Sequence, residues 1–177
     1  TGKIKGAPEH VTDRKSLNAM RRLARQLLSE GEAGRFWYEE STREVLRIVQ
    51  GDLVEAQRLI QLIAIYSPNA VVWTNTISVI KAYTAWKRGV KEEDFQIGLG
   101  TADKKAKDLL YRDKRWASTS TVQGRKITSF YRNLMHELLV LRPEAAEQLG
   151  LDPEFVEEMG QPVTVDIWMY RVFGYVK

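Results

Sequence analysis

The sequence predicts an all-α domain, and three observations support this prediction. Apolar residues recur every three or four positions in successive segments, which is the spacing of one face of a helix. Few segments are as rich in β-branched residues as strands are, and those few are short. Of the 177 residues, 44% are hydrophobic and 28% are charged, as expected for a single globular domain with a sizeable core.

The composition argues against several classes of protein. The chain has no cysteine, so it has neither a disulfide framework nor the thiolate ligands of an iron–sulfur cluster. His10 and His136 are too few for a typical metal site, and we expect no cofactor. No apolar run approaches the roughly 20 residues that cross a bilayer, and no secretion signal is evident. We therefore expect a cytoplasmic, monomeric protein without a membrane partner.

The N-terminal part is predicted to hold a loose leader and one basic helix. Residues 1–11 contain two glycines and a proline, so the folded domain is expected to span residues 12–177. A helix is predicted from an N-cap at Thr12 or Asp13 to Gly31. Its basic face either follows a phosphate backbone or is simply a solvated surface. The net charge of +4 permits a nucleic-acid partner without requiring one.

Four further helices are predicted between residues 35 and 112. The first runs to about Val49, and the second begins near Asp52 and is apolar on nearly every side, so it is expected to be central and buried. A Ser67-Pro68-Asn69 turn separates it from a third helix that ends at Gly89. The glycine-punctuated residues 89–100 are predicted to be a loop, and the fourth helix is predicted to begin near Thr101.

The last third of the chain is predicted to contain one longer helix and an acidic insertion. Apolar residues from Ile127 to Leu141 mark a helix of about four turns. Pro143 and Pro153 each begin a short helical segment within residues 142–160. Because these segments are acidic, we do not expect them to contact a phosphate backbone.

Two stretches carry the residues that predict chemistry. VQGRKITSF, Val122–Phe130, places Lys126 just after a glycine turn at the start of a helix. VTVDIWMYRVF, Val163–Phe173, places Asp166 at the end of a short β-branched run, where another helix is expected to begin. An amine and a carboxylate that meet in one cleft support acid–base or nucleophilic chemistry. Each residue alone also fits an ordinary role, a solvated lysine or phosphate contact and a helix N-cap.

Together the two stretches resemble the helix-hairpin-helix DNA glycosylases of the endonuclease III type. In that family a hairpin ends in Gly-x-Gly-x-Lys, and a later Val-Asp-Thr-His-x-x-Arg-Val segment contains the catalytic aspartate. Seven positions match these motifs: Gly124, Arg125, Lys126, Val165, Asp166, Arg171 and Val172. Val122 replaces the first glycine of the hairpin, and Trp168 replaces the histidine. The resemblance implies a multi-helix bundle with its hairpin at about residues 116–141.

The resemblance also implies roles for individual residues. Lys126 is the expected amine nucleophile and Asp166 the expected catalytic carboxylate. Asn69 stands where the family places a polar residue that enters the duplex. The expected DNA-binding residues are therefore Asn69, Gln123, Gly124, Arg125 and Arg171. Aromatic residues near the motifs are expected to wall the pocket for an extruded base, or else to be core: Trp116, Tyr131, Trp168 and Tyr170.

We therefore expect a DNA glycosylase, with AP-lyase activity through Lys126, that removes a damaged or modified base from double-stranded DNA. Similar patterns in phage-type proteins imply a DNA-modification setting in a bacterial host. Two alternatives stay open. One keeps the fold but builds a hypermodified base by a transferase or pyrophosphorylase-like reaction. The other is a DNA-binding module without catalysis.

Overall fold

The structure, a computed structural model, describes residues 37–68, 70, 72–117 and 124–159, and of Arg125 and Lys126 it describes the backbone alone. These residues form seven helices: α1 Trp37–Ile48, α2 Leu53–Tyr66, α3 Val72–Lys87, α4 Thr101–Arg112, α5 Arg125–Leu141, α6 Ala145–Gln148 and α7 Pro153–Glu157. The described ranges contain no strand, which confirms the all-α prediction there. From Tyr38 on, the described residues belong to one compact unit.

Several predictions fall outside the described residues. These are the leader at 1–11, the basic helix at 12–31, most of the first hairpin helix and the stretch from Val163 to Phe173. Six predicted site residues also lie there: Asn69, Gln123, Asp166, Trp168, Tyr170 and Arg171. Their assignments stay predictions. The two short helices of the acidic insertion are confirmed as α6 and α7.

The α2 helix is the centre of the described bundle, as its apolar pattern predicts. The Asp52 side chain caps it by accepting a hydrogen bond of 3.0 Å from the N–H of Glu55. Eleven of its 14 residues are buried, and these include polar as well as apolar side chains. A helix buried on nearly all sides is stabilised mainly by its neighbours, so the packing of α3, α4 and α5 around α2 determines the fold.

The α4 helix runs antiparallel to α2. Near the end of α2, Tyr66 Oη donates a 3.0 Å hydrogen bond to Asp103 in the first turn of α4. Near the start of α2, the Arg58 guanidinium lies 2.8 Å from the carboxylate of Asp113, which follows the end of α4. The two contacts join opposite ends of the helices and therefore establish their relative direction.

The α3 helix has the same antiparallel relation to α2. Asn75, in the first turn of α3, donates a 3.1 Å hydrogen bond to the carbonyl of Ile63 near the end of α2. At the other end of α3, Lys87 Nζ lies 3.2 Å from the Glu55 carboxylate in the first turn of α2. Because α3 and α4 both oppose α2, they are parallel to each other and need a connection as long as residues 88–100.

The α5 helix also opposes α2. Arg142, which follows α5, donates a 3.5 Å hydrogen bond to the carbonyl of Gly51, which precedes α2. The first turn of α5 lies at the other end of the bundle, where Ile127 and Ile65 line the same cleft. Three helices therefore begin near the C-terminal end of α2.

Buried polar groups hold the segment after α4 against the centre of the bundle. Gln57 Nε2 donates hydrogen bonds of 3.0 Å to the carbonyl of Trp116 and to Tyr131 Oη. Tyr131 Oη in turn donates a 2.8 Å hydrogen bond to the same carbonyl. The Trp116 and Tyr131 rings pack edge to face with centroids 5.2 Å apart. Each of these buried polar groups is thereby satisfied, which a close-packed interior requires.

The buried position of α2 leads to a direct stability prediction. Ile60 in α2 has no exposed surface, whereas Ile80 in α3 is 58% exposed. We expect Ile60→Ala to lower the free energy of unfolding by roughly 2–5 kcal/mol because it leaves a cavity in the core. The same change at Ile80 is expected to cost less than about 0.5 kcal/mol. Urea denaturation of both variants tests this, and equal costs would contradict the central position of α2.

Candidate functional site

A cleft of about 510 Å³ lies where α3, α4 and α5 begin. Its walls come from the end of α2, the turn that follows it, the loop before α4 and the first turns of the three helices. The lining residues are Ile65, Tyr66, Pro68, Ala70, Thr74, Leu99, Thr101, Ala102, Lys105 and Ile127. The volume is typical of a site for a small molecule or an extruded nucleotide base. Most of the walls are apolar, with a few polar groups among them.

The first turn of α5 brings the predicted hairpin motif to this cleft. Gly124 is the N-cap of α5 with a φ of +87°, a conformation that side chains rarely adopt. The helix begins at Arg125, so the backbone of Lys126 lies in its first turn, and the next residue, Ile127, lines the cleft. The prediction that Lys126 follows a glycine turn at a helix start is therefore confirmed.

The start of α4 forms another wall, and a buried carboxylate shapes it. Asp103 Oδ2 accepts hydrogen bonds of 3.0, 2.9 and 3.2 Å from the N–H groups of Ile97, Gly98 and Leu99. Its other oxygen accepts the hydrogen bond from Tyr66. Asp103 therefore secures the end of the 88–100 loop to both α2 and α4.

Tyr66 remains a hydrogen-bond donor at ordinary pH. Burial raises the pKa of its hydroxyl well above the usual value of 10, and the Asp103 carboxylate and its hydrogen bond add to the increase. A protonated Tyr66 is the form that can donate to Asp103. The side chain lines the cleft but has almost no exposed surface, so it supports the wall rather than projecting into solvent.

The helix dipoles make the cleft electropositive. Each helix N-terminus is equivalent to roughly +0.5 of a charge and each C-terminus to roughly −0.5. Three N-termini and the single C-terminus of α2 therefore leave about +1 at the cleft before side chains are counted. Gly100 and Gly124 occupy the N-cap positions of α4 and α5, so no cap side chain offsets this charge. The Asp103 carboxylate in the first turn of α4 does oppose it, and Lys105 on the same helix supplies a positive charge in return. Such helix starts favour anions.

The charged side chains reinforce the difference between the two ends of the bundle. Near the start of α2, cations lie close to carboxylates: Arg58 and Arg115 pair with Asp113, Lys87 with Glu55, and Arg112 with Glu92 and Asp108. On α4, Lys104, Lys105 and Lys107 form no ion pair with any residue of the described ranges. Lys105 lines the cleft itself. Lysines without an ion pair in the described ranges therefore lie along α4, and one of them adds positive charge to the cleft.

The predicted site residues have different relations to the cleft. Pro68 and Ala70, the neighbours of Asn69 in the chain, line it, as does the residue after Lys126. Trp116 is 7% exposed and Tyr131 has no exposed surface, and neither lines the cleft. Both rings belong to the core in this conformation, which is the alternative that the sequence left open for them.

Neither a metal site nor a membrane span emerges from the described part of the chain. Across it, no group of three or more histidine, cysteine, aspartate or glutamate side chains is arranged to hold a metal ion. None of its helices combines the length and apolar character that crossing a bilayer requires.

The role of Asp103 in shaping the cleft can be tested by removing its charge. Asp103→Asn keeps the size of the side chain but weakens the hydrogen bonds to three N–H groups. We expect a loss of roughly 1–3 kcal/mol in the free energy of unfolding. Asp108→Asn in the same helix removes only a surface carboxylate and is expected to cost less than about 1 kcal/mol. Thermal and urea denaturation measure both, and an Asp103→Asn variant as stable as Asp108→Asn would contradict this role.

Comparison with known proteins gives a family match. Residues 13–141 match the model of DUF7178, a family of unknown function. The matched range contains every residue that lines the cleft as well as Lys126, and it ends at the last residue of α5, before Asp166. No curated protein and no solved structure matches the chain. Because the family model covers well over half of the sequence, the chain belongs to the DUF7178 family.

Proposed function

We propose that this protein is a DNA glycosylase of the helix-hairpin-helix type with AP-lyase activity. The observation that carries the proposal is the backbone position of Lys126 in the first turn of α5, two residues after the Gly124 cap and one before Ile127, which lines the cleft. The proposal requires the Lys126 amine to reach the cleft and to act there as the neutral nucleophile.

The charge distribution around the cleft supports double-stranded DNA as the partner. Three helix starts and the lysines of α4 offer positive charge to phosphate groups, while Glu55, Asp108 and Asp113 toward the opposite end are occupied in ion pairs. Exposed backbone N–H groups at a glycine-capped helix start are suited to holding a phosphate. In this proposal Gly124, Arg125 and Gln123 contact one phosphate, Arg171 another, and Asn69 enters the duplex.

The cleft is suited to receive an extruded base. Its volume is adequate for a nucleotide, and its mostly apolar walls are suited to contact the faces of a base. Trp168 and Tyr170 are proposed as further walls. Trp116 and Tyr131 contact a base only if the core around them opens, so the proposal relies on Tyr66 and Ile127 in their place.

The proposed reaction uses Lys126 and Asp166 in complementary roles. The neutral Lys126 amine attacks C1′ of the extruded nucleotide, and the base departs with the electron pair of the glycosidic bond. Loss of the amine proton and opening of the sugar ring give a Schiff base, from which elimination breaks the strand. Asp166 stabilises the positive charge that develops on the sugar during departure of the base.

A non-catalytic DNA-binding protein is the second candidate. The positive charge of the cleft favours this candidate, because binding of DNA through that charge depends on neither the Lys126 amine nor the Asp166 carboxylate. The departures at Val122 and Trp168 instead favour a base-modifying enzyme of the same fold, in which the pocket is altered. The two experiments below distinguish these candidates from the glycosylase.

Trapping with borohydride tests the role of Lys126. With duplex DNA that carries an abasic site, we expect the wild-type protein to form a covalent adduct, because borohydride reduces the Schiff base. Lys126→Ala and Lys126→Arg should both abolish the adduct, since neither side chain forms a Schiff base. Lys91→Ala, an exposed lysine at the opposite end of the bundle, should leave it unchanged. Equal trapping by the Lys126 variants would exclude Lys126 as the nucleophile.

Base release and DNA affinity together test the role of Asp166. We expect Asp166→Asn to reduce base release by at least about 100-fold, as loss of a charge-stabilising group commonly does, while DNA affinity changes little. Fluorescence anisotropy over a range of salt concentrations measures the affinity, and nucleoside mass spectrometry measures the released base. Salt-dependent binding with no reaction in the wild type would instead establish the DNA-binding module.

A further inference from the structure

Trp73 is a highly exposed aromatic side chain in the first turn of α3, next in the chain to a residue that lines the cleft. It is the second residue of α3 and is 73% exposed, more than any other large apolar side chain in the described ranges. Within those ranges its ring contacts neither another ring nor a cation. The next residue, Thr74, lines the cleft. An exposed indole at this position offers a large planar face on which another ring can stack.

The surroundings of Trp73 favour an anionic, aromatic occupant. The α3 helix contains no acidic residue, and its exposed Lys81 forms no ion pair within the described part of the chain. Lys105 lies on the other wall of the cleft, and three helix starts add positive charge. A nucleotide offers both the planar ring that an indole stacks on and the phosphate that these charges attract.

We infer that Trp73 is a stacking platform for an unpaired nucleobase, so that the strand bound beside the cleft is locally single-stranded. Bases in an intact duplex are stacked on each other and do not offer a free face to an indole. A single strand, a bulge or an opened base pair does offer one. The inference rests on the DNA partner of the proposed function but not on its chemistry.

Binding of three labelled DNAs tests this inference. These are a single-stranded thymidine 12-mer, a fully paired duplex and a duplex with a one-nucleotide bulge, each titrated by fluorescence anisotropy. We expect Trp73→Ala to weaken binding of the single strand and the bulged duplex about 10-fold, the typical effect of losing one stacked base. The fully paired duplex should be affected less than about 3-fold, because it retains its phosphate contacts.

Two control variants separate stacking from general loss of apolar surface. Trp73→Phe keeps an aromatic face and should recover most of the affinity for unpaired DNA. Ile80→Ala removes an exposed apolar side chain of the same helix and should leave all three affinities unchanged. If Trp73→Ala and Ile80→Ala had equal effects, or if Trp73→Ala weakened the paired duplex as much as the single strand, the inference would be wrong.

Further outcomes distinguish this inference from other occupants and from the proposed function. If the wild type self-associates in sedimentation and Trp73→Ala is monomeric, the α3 face belongs to a second copy and the inference is overturned. If the wild type binds no oligonucleotide, both proposals fail. If the stacking pattern holds while no base is released and no adduct is trapped, the inference stands and only the glycosylase reaction fails.

Discussion

A helix that is apolar around its whole circumference can be stable in water only when other elements surround it. In this protein that helix is α2, and the burial of 11 of its 14 residues depends on α3, α4 and α5. All three neighbours run opposite to it: contacts with Glu55, Arg58, Ile63 and Tyr66 hold α3 and α4 in that direction. The hydrogen bond from Arg142 to the carbonyl of Gly51 does the same for α5. The arrangement around one buried helix thus brings three helix starts together.

This gathering of helix starts explains the chemical difference between the two ends of the bundle. At one end, Arg58, Lys87 and Arg112 pair with nearby carboxylates, and Arg58 and Lys87 also each lie over the Trp86 ring. At the other end, Gly100 and Gly124 occupy the caps of α4 and α5, and Lys105, which lines the cleft, opposes the negative charge of the Asp103 carboxylate on the same helix. Positive potential therefore remains at the cleft, and an anionic partner is the simplest complement to it.

Local patterns predicted the helices and the Gly124 turn because each depends on residues close together in the chain. The central position of α2 followed from its composition for the same reason. The cleft could not be predicted, since it depends on the direction in which three helices pack.

Trp116 and Tyr131 illustrate this limit: nothing in their local sequence indicates the hydrogen bonds with Gln57 that keep them in the core. Asp103 and Tyr66 are 37 residues apart and belong to no sequence motif, so their hydrogen bond could not be predicted either. The exposure of Trp73 likewise depends on which face of α3 meets α2.

The long connection between α3 and α4 has a consequence for how a partner reaches the cleft. Tyr111 holds its beginning through a 2.7 Å hydrogen bond to the carbonyl of Val90, and Phe95 anchors its middle in the core. Asp103 secures its end. Because it is attached at three points, the connection is expected to form a fixed edge of the cleft and not a loop that opens and closes over it. Entry on this side therefore needs no preceding rearrangement of the connection, and the speed of capture there is governed by diffusion and electrostatic attraction.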